Sequence, residues 1–305
     1  MDKIIITTGD PNGIGAEITM KALKALNLPK EKIAIISNKK ILNYYGKLDK
    51  NYGIIEIPYN ENDIKVGQVT KEAGEFSFQS LKLACELKPK AIVTAPVAKN
   101  ALHLAGHNFN GQTEVLQHFL AHDNQLAEML FVANGFRVLL LTRHCALKEI
   151  TLTQDVVVTK IKNLVKTFQK QFSINNPKFA LCGFNPHSGE DGILGREEID
   201  ILIPAVQELQ NAGIDITMPL PADTLFVDAA KNYLKNTKDK YDCYIANYHD
   251  QGLIPIKTVA GENTVNMTIG LDIVRTSPGH GTAFDIAGKN IASPNGMIAA
   301  IKEVL

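Results

Sequence analysis

Three of the eight histidines follow short apolar runs of the sequence. His144 comes after RVLLLT, His187 ends the turn GFNPH after KFALCG, and His249 follows YDCYIA after two further residues. In an open parallel sheet, side chains that follow the carboxyl ends of the strands can converge. Three neutral imidazoles would bind a divalent metal and leave positions open for substrate. For each residue taken alone a hydrogen-bonded structural histidine is the commoner case, and only the shared position of all three makes a catalytic metal site an equal candidate.

Polar residues further along the chain could bind an anionic ligand. Lys257 lies eight positions beyond His249 among apolar residues, so it either extends into water or faces a site as an anion clamp or acid/base. Arg275 could hold a carboxylate or a phosphate through two parallel hydrogen bonds, and Asn266 precedes it. Each of these residue types, taken alone, is more often a solvated surface group than a ligand.

A glycine-rich segment, GDPNGIGAE at residues 9–17, follows the first apolar run. Glycines such as Gly13 and Gly15 at a strand-to-helix turn let the backbone approach an anion, with helix amides directed at it. The spacing matches neither the Gly-x-Gly-x-x-Gly fingerprint nor a Walker A loop. A tight connection that binds no ligand is the alternative interpretation.

A second glycine-containing segment, GHGTAFDIAGK at residues 279–289, reads as a loop before one helical turn. Such a loop suits an adenosine pocket lined by backbone, with His280, Gly281 and Thr282 at its start. Asp285 would accept hydrogen bonds from a ribose diol and would repel a 2′-phosphate, which favours NAD over its phosphorylated form.

The elements that must position these residues alternate along the chain, which predicts an α/β fold with mostly parallel strands and helices on both faces. The predicted strands are residues 3–7, 33–37, 91–94, 137–142, 178–183 and 241–246, and the predicted helices are residues 15–26, 71–87, 113–120, 154–171, 197–212 and 222–234. A change in composition near residues 123–127 suggests a domain boundary.

The composition limits the class of protein. The 305 residues include 32 Lys plus Arg and 32 Asp plus Glu, so no net charge attracts a polyanion, and no nucleic-acid partner is expected. No signal peptide is visible and no apolar stretch approaches the roughly 20 residues that span a bilayer, so no membrane partner is expected. The four scattered cysteines predict buried free thiols, and the sequence predicts a cytoplasmic location.

Several of these segments together resemble one known family. GDPNGIGAE, FNPHSGE at 184–190, HDQGLIPIK at 249–257 and VNMTIGLDIVRTSPGHGTAFDIAGK at 265–289 are similar to the 4-hydroxythreonine-4-phosphate dehydrogenases of pyridoxal phosphate biosynthesis. The resemblance implies a two-domain fold like that of isocitrate and isopropylmalate dehydrogenases, with a cleft between the domains. The expected domains are a cofactor-side domain, residues 1–125 plus 260–305, and a metal, substrate and dimerisation domain, residues 126–259.

The resemblance also implies a reaction and a set of site residues. The family is a homodimer that uses NAD and a divalent metal (Zn, Mg or Co) to oxidise 4-(phosphooxy)-L-threonine at C3; the β-keto acid then loses carbon dioxide to give 3-amino-2-oxopropyl phosphate. The implied metal ligands, contributed by both subunits, are His144, His187 and His249, and the implied catalytic residues are Lys257 and Asp250. The implied substrate-binding residues are Gln112, Thr113, Lys257, Asn266 and Arg275. The implied cofactor-binding residues are Gly13, Gly15, His280, Gly281, Thr282, Asp285 and Ser293.

Two departures from the family pattern keep alternatives open. Gln112 stands where the family usually has histidine, and Ser293 stands where the related loop has asparagine. A sister dehydrogenase for 4-phospho-D-threonate or 4-phospho-D-erythronate would keep the same histidines. A metal-dependent phosphate-ester hydrolase and a non-catalytic binding module are the alternatives from other classes.

Overall fold

The structure is a computed structural model that describes residues 2–48, 51–122 and 125–305. The chain forms two compact units. Unit 1 comprises Met1–Ala127 and Val265–Leu305, and unit 2 comprises Glu128–Thr264. The unit limits differ by two and five residues from the predicted 125/126 and 259/260 boundaries. The composition change used for the first boundary begins at Asp123 and Asn124, which lie outside the described residues.

Unit 1 is built on a mostly parallel sheet in the order β3-β2-β1-β4-β11-β10, in which only the β11–β10 pair is antiparallel among the strands described. With numbering along the whole chain, its elements are β1 (Ile4–Thr7), α1 (Gly15–Leu26), β2 (Ile33–Ser37), α2 (Lys39–Tyr45), β3 (Gly53–Glu56), α3 (Lys71–Glu86), β4 (Ala91–Thr94), α4 (Lys99–Leu104), α5 (Gln112–Leu120), β10 (Val265–Ile269), β11 (Val274–Pro278) and α10 (Asn295–Lys302).

The β-branched runs of unit 1 form its central strands because both faces of the sheet are covered. All four residues of β1 and all five of β2 are buried. On one face β1 contributes Ile4 and Ile6 to a cluster with α1 and α10, and on the other Ile5 packs with residues of α3 and α5. This burial on two faces is typical of parallel sheets.

Unit 2 has a sheet in the order β5-β6-β9-β7-β8, with β5 and β6 antiparallel and the other pairs parallel. Its elements are β5 (Glu128–Ala133), β6 (Phe136–Leu140), α6 (Gln154–Gln171), β7 (Lys178–Leu181), a π-helical turn (Glu198–Leu202), α7 (Ile203–Asn211), β8 (Asp215–Ile216), α8 (Ala222–Lys235), β9 (Cys243–Ala246) and α9 (His249–Ala260).

The structure corrects several expectations. The predicted helix at 197–212 is a π-helical turn followed by α7, and the segment after β11 contains successive turns instead of one helical turn. Cys145 is exposed, whereas Cys85, Cys182 and Cys243 are buried as expected. Strands β3, β5, β8, β10 and β11 were not predicted. Among residues 2–48, 51–122 and 125–305, no helix combines the length and apolar character that crossing a membrane requires.

Candidate active site

Two of the three candidate metal ligands lie side by side in unit 2. His144 follows β6 and His249 begins α9 directly after β9, and β6 and β9 are neighbouring parallel strands. The centroids of the two imidazole rings are 5.7 Å apart. Both rings line a pocket of about 410 Å³ that is formed by residues 143–147, 149 and 248–250. The side chains that follow these two neighbouring strands therefore lie close together, as expected for the carboxyl ends of parallel strands.

Asp250 fixes the orientation of one imidazole. Its Oδ1 lies 2.7 Å from Nδ1 of His249, and 39% of the His249 side chain is exposed. A carboxylate on one ring nitrogen of a histidine is the arrangement that metalloproteins use to direct the other nitrogen at a metal. Imidazole nitrogens suit divalent ions such as Zn²⁺ or Co²⁺, so these two rings could supply two of the ligands of one ion.

His187 lies in an unusual left-handed stretch of backbone. From His187 to Asp191 five successive residues have positive φ, with 52° at His187 itself. Non-glycine residues adopt this conformation at a cost of about 1 kcal/mol or more each, so neighbouring contacts must hold it. The buried Glu198 carboxylate accepts the Asn185 backbone N–H at 2.8 Å, and its Oε2 also accepts from the Asn185 side chain at 3.0 Å. Strain of this kind concentrates at functional sites.

Within one chain these parts do not complete a metal site. Across the described residues, no group of three or more His, Cys, Asp or Glu side chains is placed to hold a metal ion. His144 and His249 are paired, and His187 does not join them in such a group. The prediction that the ligands come from both subunits therefore stays a prediction, and its test needs the dimer.

Asn247 and Gln251 connect the strand ends that carry the histidines, and neither residue was predicted from the sequence. The fully buried Asn247 side chain donates to the Cys182 carbonyl at 2.9 Å. Gln251 accepts the Asn247 backbone N–H at 2.8 Å and donates to the Gly183 carbonyl at 2.7 Å. These bonds fix the end of β9 against the end of β7. The signal available in the sequence was two amide side chains that flank His249 at the end of an apolar run.

Lys257 lies on α9 at a distance from this pocket. It is exposed on α9, eight residues after His249, which corresponds to about 12 Å along the helix axis. It is absent from the residues that line the 410 Å³ pocket. Its predicted substrate and proton-transfer roles therefore stay predictions.

Arg275 is the main charged group at the predicted substrate site of unit 1. It lies on β11 with only 3% of its surface exposed. Its Nε donates to the Thr94 hydroxyl at 2.7 Å, and its Nη1 lies 3.5 Å from the Thr268 hydroxyl. In the described part of the chain no carboxylate forms a salt bridge with it. Burial lowers the pKa of Arg275 to about 9, and the nearby Glu114 charge opposes that effect. A buried cation without a partner anion is costly, and a bound anion would offset that cost.

Two amide oxygens of predicted substrate residues are buried without a hydrogen-bond donor. They are Oε1 of Gln112 and Oδ1 of Asn266, both in unit 1. Gln112 begins α5 and its Nε2 donates to the carbonyl of Ala95, just after β4. Thr113 follows it and is buried, and no side chain caps the amino end of this helix. Unpartnered acceptors together with free helix amides fit a ligand that carries both donor and anionic groups.

The predicted cofactor segment after β11 presents polar groups to solvent. His280, Gly281 and Asp285 are exposed, and a side chain at Gly281 would meet nothing within 4 Å. Ser293, near the end of the segment, is also exposed. An accessible carboxylate and an uncovered backbone fit the adenosine end of a dinucleotide, since the carboxylate can accept from a ribose diol.

The glycines of residues 9–17 are required by packing within the protein. A Cβ at Gly15 would lie 2.1 Å from the Thr8 carbonyl oxygen, and one at Gly13 would lie 2.9 Å from the Thr282 carbonyl oxygen. Other residues of the chain therefore occupy part of the space next to Gly13 and Gly15 in which a ligand was predicted. Cofactor contact by Gly13 and Gly15 stays a prediction.

Asp10 is a further buried acid in the same turn. It has no exposed surface, its Oδ1 accepts the Asn12 backbone N–H at 2.9 Å, and its Oδ2 has no partner. Burial raises the pKa of Asp10 to about 6, against the opposing effect of backbone hydrogen bonds.

Comparison with known families identifies the protein's group. The family model described as "Pyridoxal phosphate biosynthetic protein PdxA" matches residues 3–304. The chain belongs to the PdxA family. A 4-hydroxythreonine-4-phosphate dehydrogenase of a Sulfurihydrogenibium species is 37% identical over 99% of this chain and 97% of its own length, and one of a Synechocystis species is 40% identical over 99% and 94%. A putative D-threonate 4-phosphate dehydrogenase of Salmonella typhi is 37% identical over 98% and 97%. The chain is accordingly an oxidoreductase.

Solved structures confirm the fold class. A 4-hydroxythreonine-4-phosphate dehydrogenase of Klebsiella pneumoniae superposes with a TM-score of 0.86 at 33% identity, covering 100% of this chain and 98% of that one. An isocitrate dehydrogenase of Methylococcus capsulatus superposes with a TM-score of 0.50 at 14% identity, covering 99% and 85%. This second likeness concerns the fold alone, and it agrees with the predicted resemblance of the PdxA family to isocitrate dehydrogenases.

Proposed function

We propose that this PdxA-family protein oxidises 4-(phosphooxy)-L-threonine at C3 with NAD, in the biosynthesis of pyridoxine 5′-phosphate in the cytoplasm. The product, 2-amino-3-oxo-4-(phosphooxy)butanoate, then loses carbon dioxide to give 3-amino-2-oxopropyl phosphate. The names of the curated relatives support this substrate. The observation that carries the proposal is the buried Arg275, which has only hydroxyl partners in the described part of the chain.

The residues around Arg275 match the charges of this substrate. The guanidinium binds an anionic group, either the carboxylate or the phosphate, through its planar set of donors. The unpartnered oxygens of Gln112 and Asn266 accept hydrogen bonds from the ammonium or the hydroxyl group. Thr113 and the uncapped start of α5 add donors for the phosphate.

The residues of unit 2 provide the metal ligands. His144, His187 and His249, drawn from two subunits of a homodimer, would hold one divalent ion. That ion, when bound, supplies electrostatic stabilisation of negative charge on the C3 oxygen. Asp250 holds the His249 ring in one orientation through Nδ1. Lys257 serves as proton donor or as phosphate clamp, and both roles remain in the proposal.

The cofactor segment binds NAD through its adenosine end. Asp285 accepts hydrogen bonds from the ribose diol, and Ser293 and the exposed backbone at His280 and Gly281 line the adenine side. NAD, when bound, would supply the hydride acceptor, so the protein's task would be to hold C3 of the substrate against the nicotinamide.

Oxidation of 4-phospho-D-threonate is the second candidate. The putative D-threonate 4-phosphate dehydrogenase is 37% identical to this chain, which equals the identity of the 4-hydroxythreonine-4-phosphate dehydrogenase of the Sulfurihydrogenibium species. Gln112 also replaces a histidine of the family pattern, and a neutral amide at that position alters the pattern of hydrogen bonds to the substrate. The same Arg275 and histidines would serve either substrate.

Parallel assays of the two phosphorylated acids distinguish these candidates. NADH formation and carbon dioxide release are measured with 4-(phosphooxy)-L-threonine and with 4-phospho-D-threonate, after addition of Zn²⁺, Mg²⁺ or Co²⁺ to metal-depleted protein. We expect a kcat/KM at least tenfold higher for the L-threonine ester, with one carbon dioxide per NADH. A preference for D-threonate would select the second candidate, and phosphate release without NADH would contradict both.

A further inference from the structure

The candidate cofactor segment, residues 279–293, has no helix or strand of its own in the described structure. Its backbone enters the left-handed region at Ala283, Gly288 and Asn290, with φ of 44°, 75° and 57°. A segment of this kind does not keep its shape through local backbone hydrogen bonds alone. Contacts from elsewhere in unit 1 must therefore set the positions of Asp285 and Ser293.

The start of the segment is held by the glycine-rich turn. The Ile14 backbone N–H donates to the Thr282 carbonyl at 3.1 Å. Gly13 lets the two chains approach this closely, since a side chain there would collide with the same carbonyl.

The end of the segment is held by two charged residues of α1. Oε1 of Glu17 accepts the Ala292 backbone N–H at 2.9 Å. Nζ of Lys21 donates to the carbonyls of Asn290 and Ala292, both at 3.0 Å, and to Oε1 of Glu17 at 2.8 Å. The ammonium group has three donors, and all three are used in these contacts.

These two residues form a partly buried unit. The Glu17 side chain is 2% exposed and that of Lys21 is 31% exposed. A buried carboxylate is costly unless it is paired and hydrogen-bonded, so Glu17 depends on Lys21 and on the Ala292 amide. The pair thus ties one face of α1 to one end of the cofactor segment.

We propose that Glu17 and Lys21 are positioning residues for NAD. They act through residues 290–292, which lie directly before Ser293 and five residues beyond Asp285. This inference rests on the proposed cofactor, and it gives the acidic end of GDPNGIGAE a role that is separate from ligand contact. Because the pair touches the segment and not the Arg275 site, its loss should affect NAD and spare the substrate.

Direct binding measurements on the full-length protein test this assignment. NAD is titrated calorimetrically into the wild type, Lys21→Met, Glu17→Gln and the control Lys24→Met, which removes an exposed lysine from the same helix. Hydrogen exchange of residues 286–293 is measured without ligand, and KM is measured separately for NAD and for the phosphorylated substrate. Circular dichroism and melting temperature report folding.

We expect Lys21→Met to raise the dissociation constant for NAD on the order of tenfold, since two carbonyl bonds are lost. Exchange of the Ala292 amide should accelerate, while substrate KM, and kcat at saturating NAD, change less than twofold. Glu17→Gln keeps an acceptor for the Ala292 amide, so its effect should be smaller and non-additive with Lys21→Met. Lys24→Met should match the wild type.

The outcomes separate this inference from the proposed function. If the wild type binds NAD and folded Lys21→Met binds it equally well, the positioning role is wrong and the cofactor assignment stands. An equal loss of NAD and substrate affinity would likewise contradict it and indicate a general structural role. If the wild type does not bind NAD, the proposed function itself fails.

Discussion

The candidate residues of the two units differ in how complete they are within one chain. In unit 1 the Arg275 guanidinium is buried and oriented by the Thr94 and Thr268 hydroxyls. In unit 2 the His144 and His249 rings line an open pocket, and no three-ligand group is found anywhere in the described ranges. The candidate anion site is thus preformed, whereas the candidate metal site has only part of its predicted ligands within one chain.

The two candidate sites also differ in how much free energy they cost the protein without ligands. The candidate anion site keeps a buried cation without a carboxylate partner, which is costly in the free protein and would be offset by a bound anion. The candidate metal site instead leaves its imidazoles accessible to water, where they cost little, and under the proposal its third ligand would come from a second subunit. We therefore expect substitution of Arg275 to change substrate affinity, and substitution of the candidate histidine ligands to abolish metal binding and turnover.

The largest effect is expected for His187→Ala. Loss of this ligand should remove most bound metal and reduce kcat by at least about 1,000-fold, since catalytic metals supply several kcal/mol of charge stabilisation. Metal content by mass spectrometry and NADH formation check this, with the exposed His122→Ala as control.

A second variant separates ligand loss from backbone strain at this position. His187→Gly also removes the imidazole but accepts the left-handed backbone, with its φ of 52°, without cost. If His187→Gly recovers turnover that His187→Ala lacks, backbone strain and not ligand loss explains the defect. Near-normal metal content in both variants would show that His187 is not a ligand.

Arg275→Met is expected to affect substrate binding and stability in opposite directions. Substrate KM should rise on the order of 100-fold, because the charged partner of the anion is lost. The melting temperature without substrate should stay equal or rise, since a buried unpaired charge is removed. Calorimetry of unfolding and steady-state kinetics test both, with the exposed Arg196→Met as control. A lower melting temperature with unchanged KM would mean that Arg275 is structural.

Asp285→Ala should weaken NAD on the order of tenfold and leave substrate KM within twofold. The reason is that its exposed carboxylate would contact the ribose diol and nothing in the Arg275 site. Titration of NAD into the variant and into the exposed Asp228→Ala control measures the change. Unaltered NAD affinity would reject the ribose contact.

The last effect concerns the pH dependence of stability at Asp10. Its pKa of about 6 in the folded protein lies above the ordinary value of 3.8, so the folded state binds the proton more tightly. Wild-type stability should gain from this group as pH falls from about 6 to about 4, and the charged form should cost about 3 kcal/mol at most above that range. Asp10→Asn should therefore raise the melting temperature at neutral pH, with the gain vanishing near pH 4. A constant offset would contradict this.

Strands that consist of β-branched apolar runs could be predicted from sequence, whereas the polar strands and the apolar β5, which has a single β-branched residue, could not. Residues 33–37 and 91–94 match β2 and β4, because a short β-branched run is typical of a strand in a parallel sheet that is covered on both faces. Strands β10 and β11, VNMTI and VRTSP, were missed because Asn266 and Arg275 interrupt their apolar pattern. The polar side chains of the candidate site are thus the ones that keep these two strands from being recognised in the sequence.

The proximity of two candidate side chains was predictable from sequence, but the environment of Arg275 was not. Strand-end placement brought His144 and His249 together correctly, and the resemblance singled out Arg275. Neither could indicate that Arg275 is buried beside Thr94, because that contact depends on the pairing of β4 with β11. The left-handed backbone at His187 has no local sequence signal apart from Gly189, where a Cβ would lie 2.7 Å from Oε2 of Glu198.

The central claim is that hydride leaves C3 of the phosphorylated substrate for NAD, and isotope transfer tests it most directly. 4-(Phosphooxy)-L-threonine carrying deuterium at C3 is incubated with the metal-loaded enzyme and NAD, and the reduced cofactor is analysed by mass spectrometry. We predict one deuterium in each reduced cofactor and none in the 3-amino-2-oxopropyl phosphate formed. Deuterium retained in the product, or reduced cofactor without the label, would contradict the account.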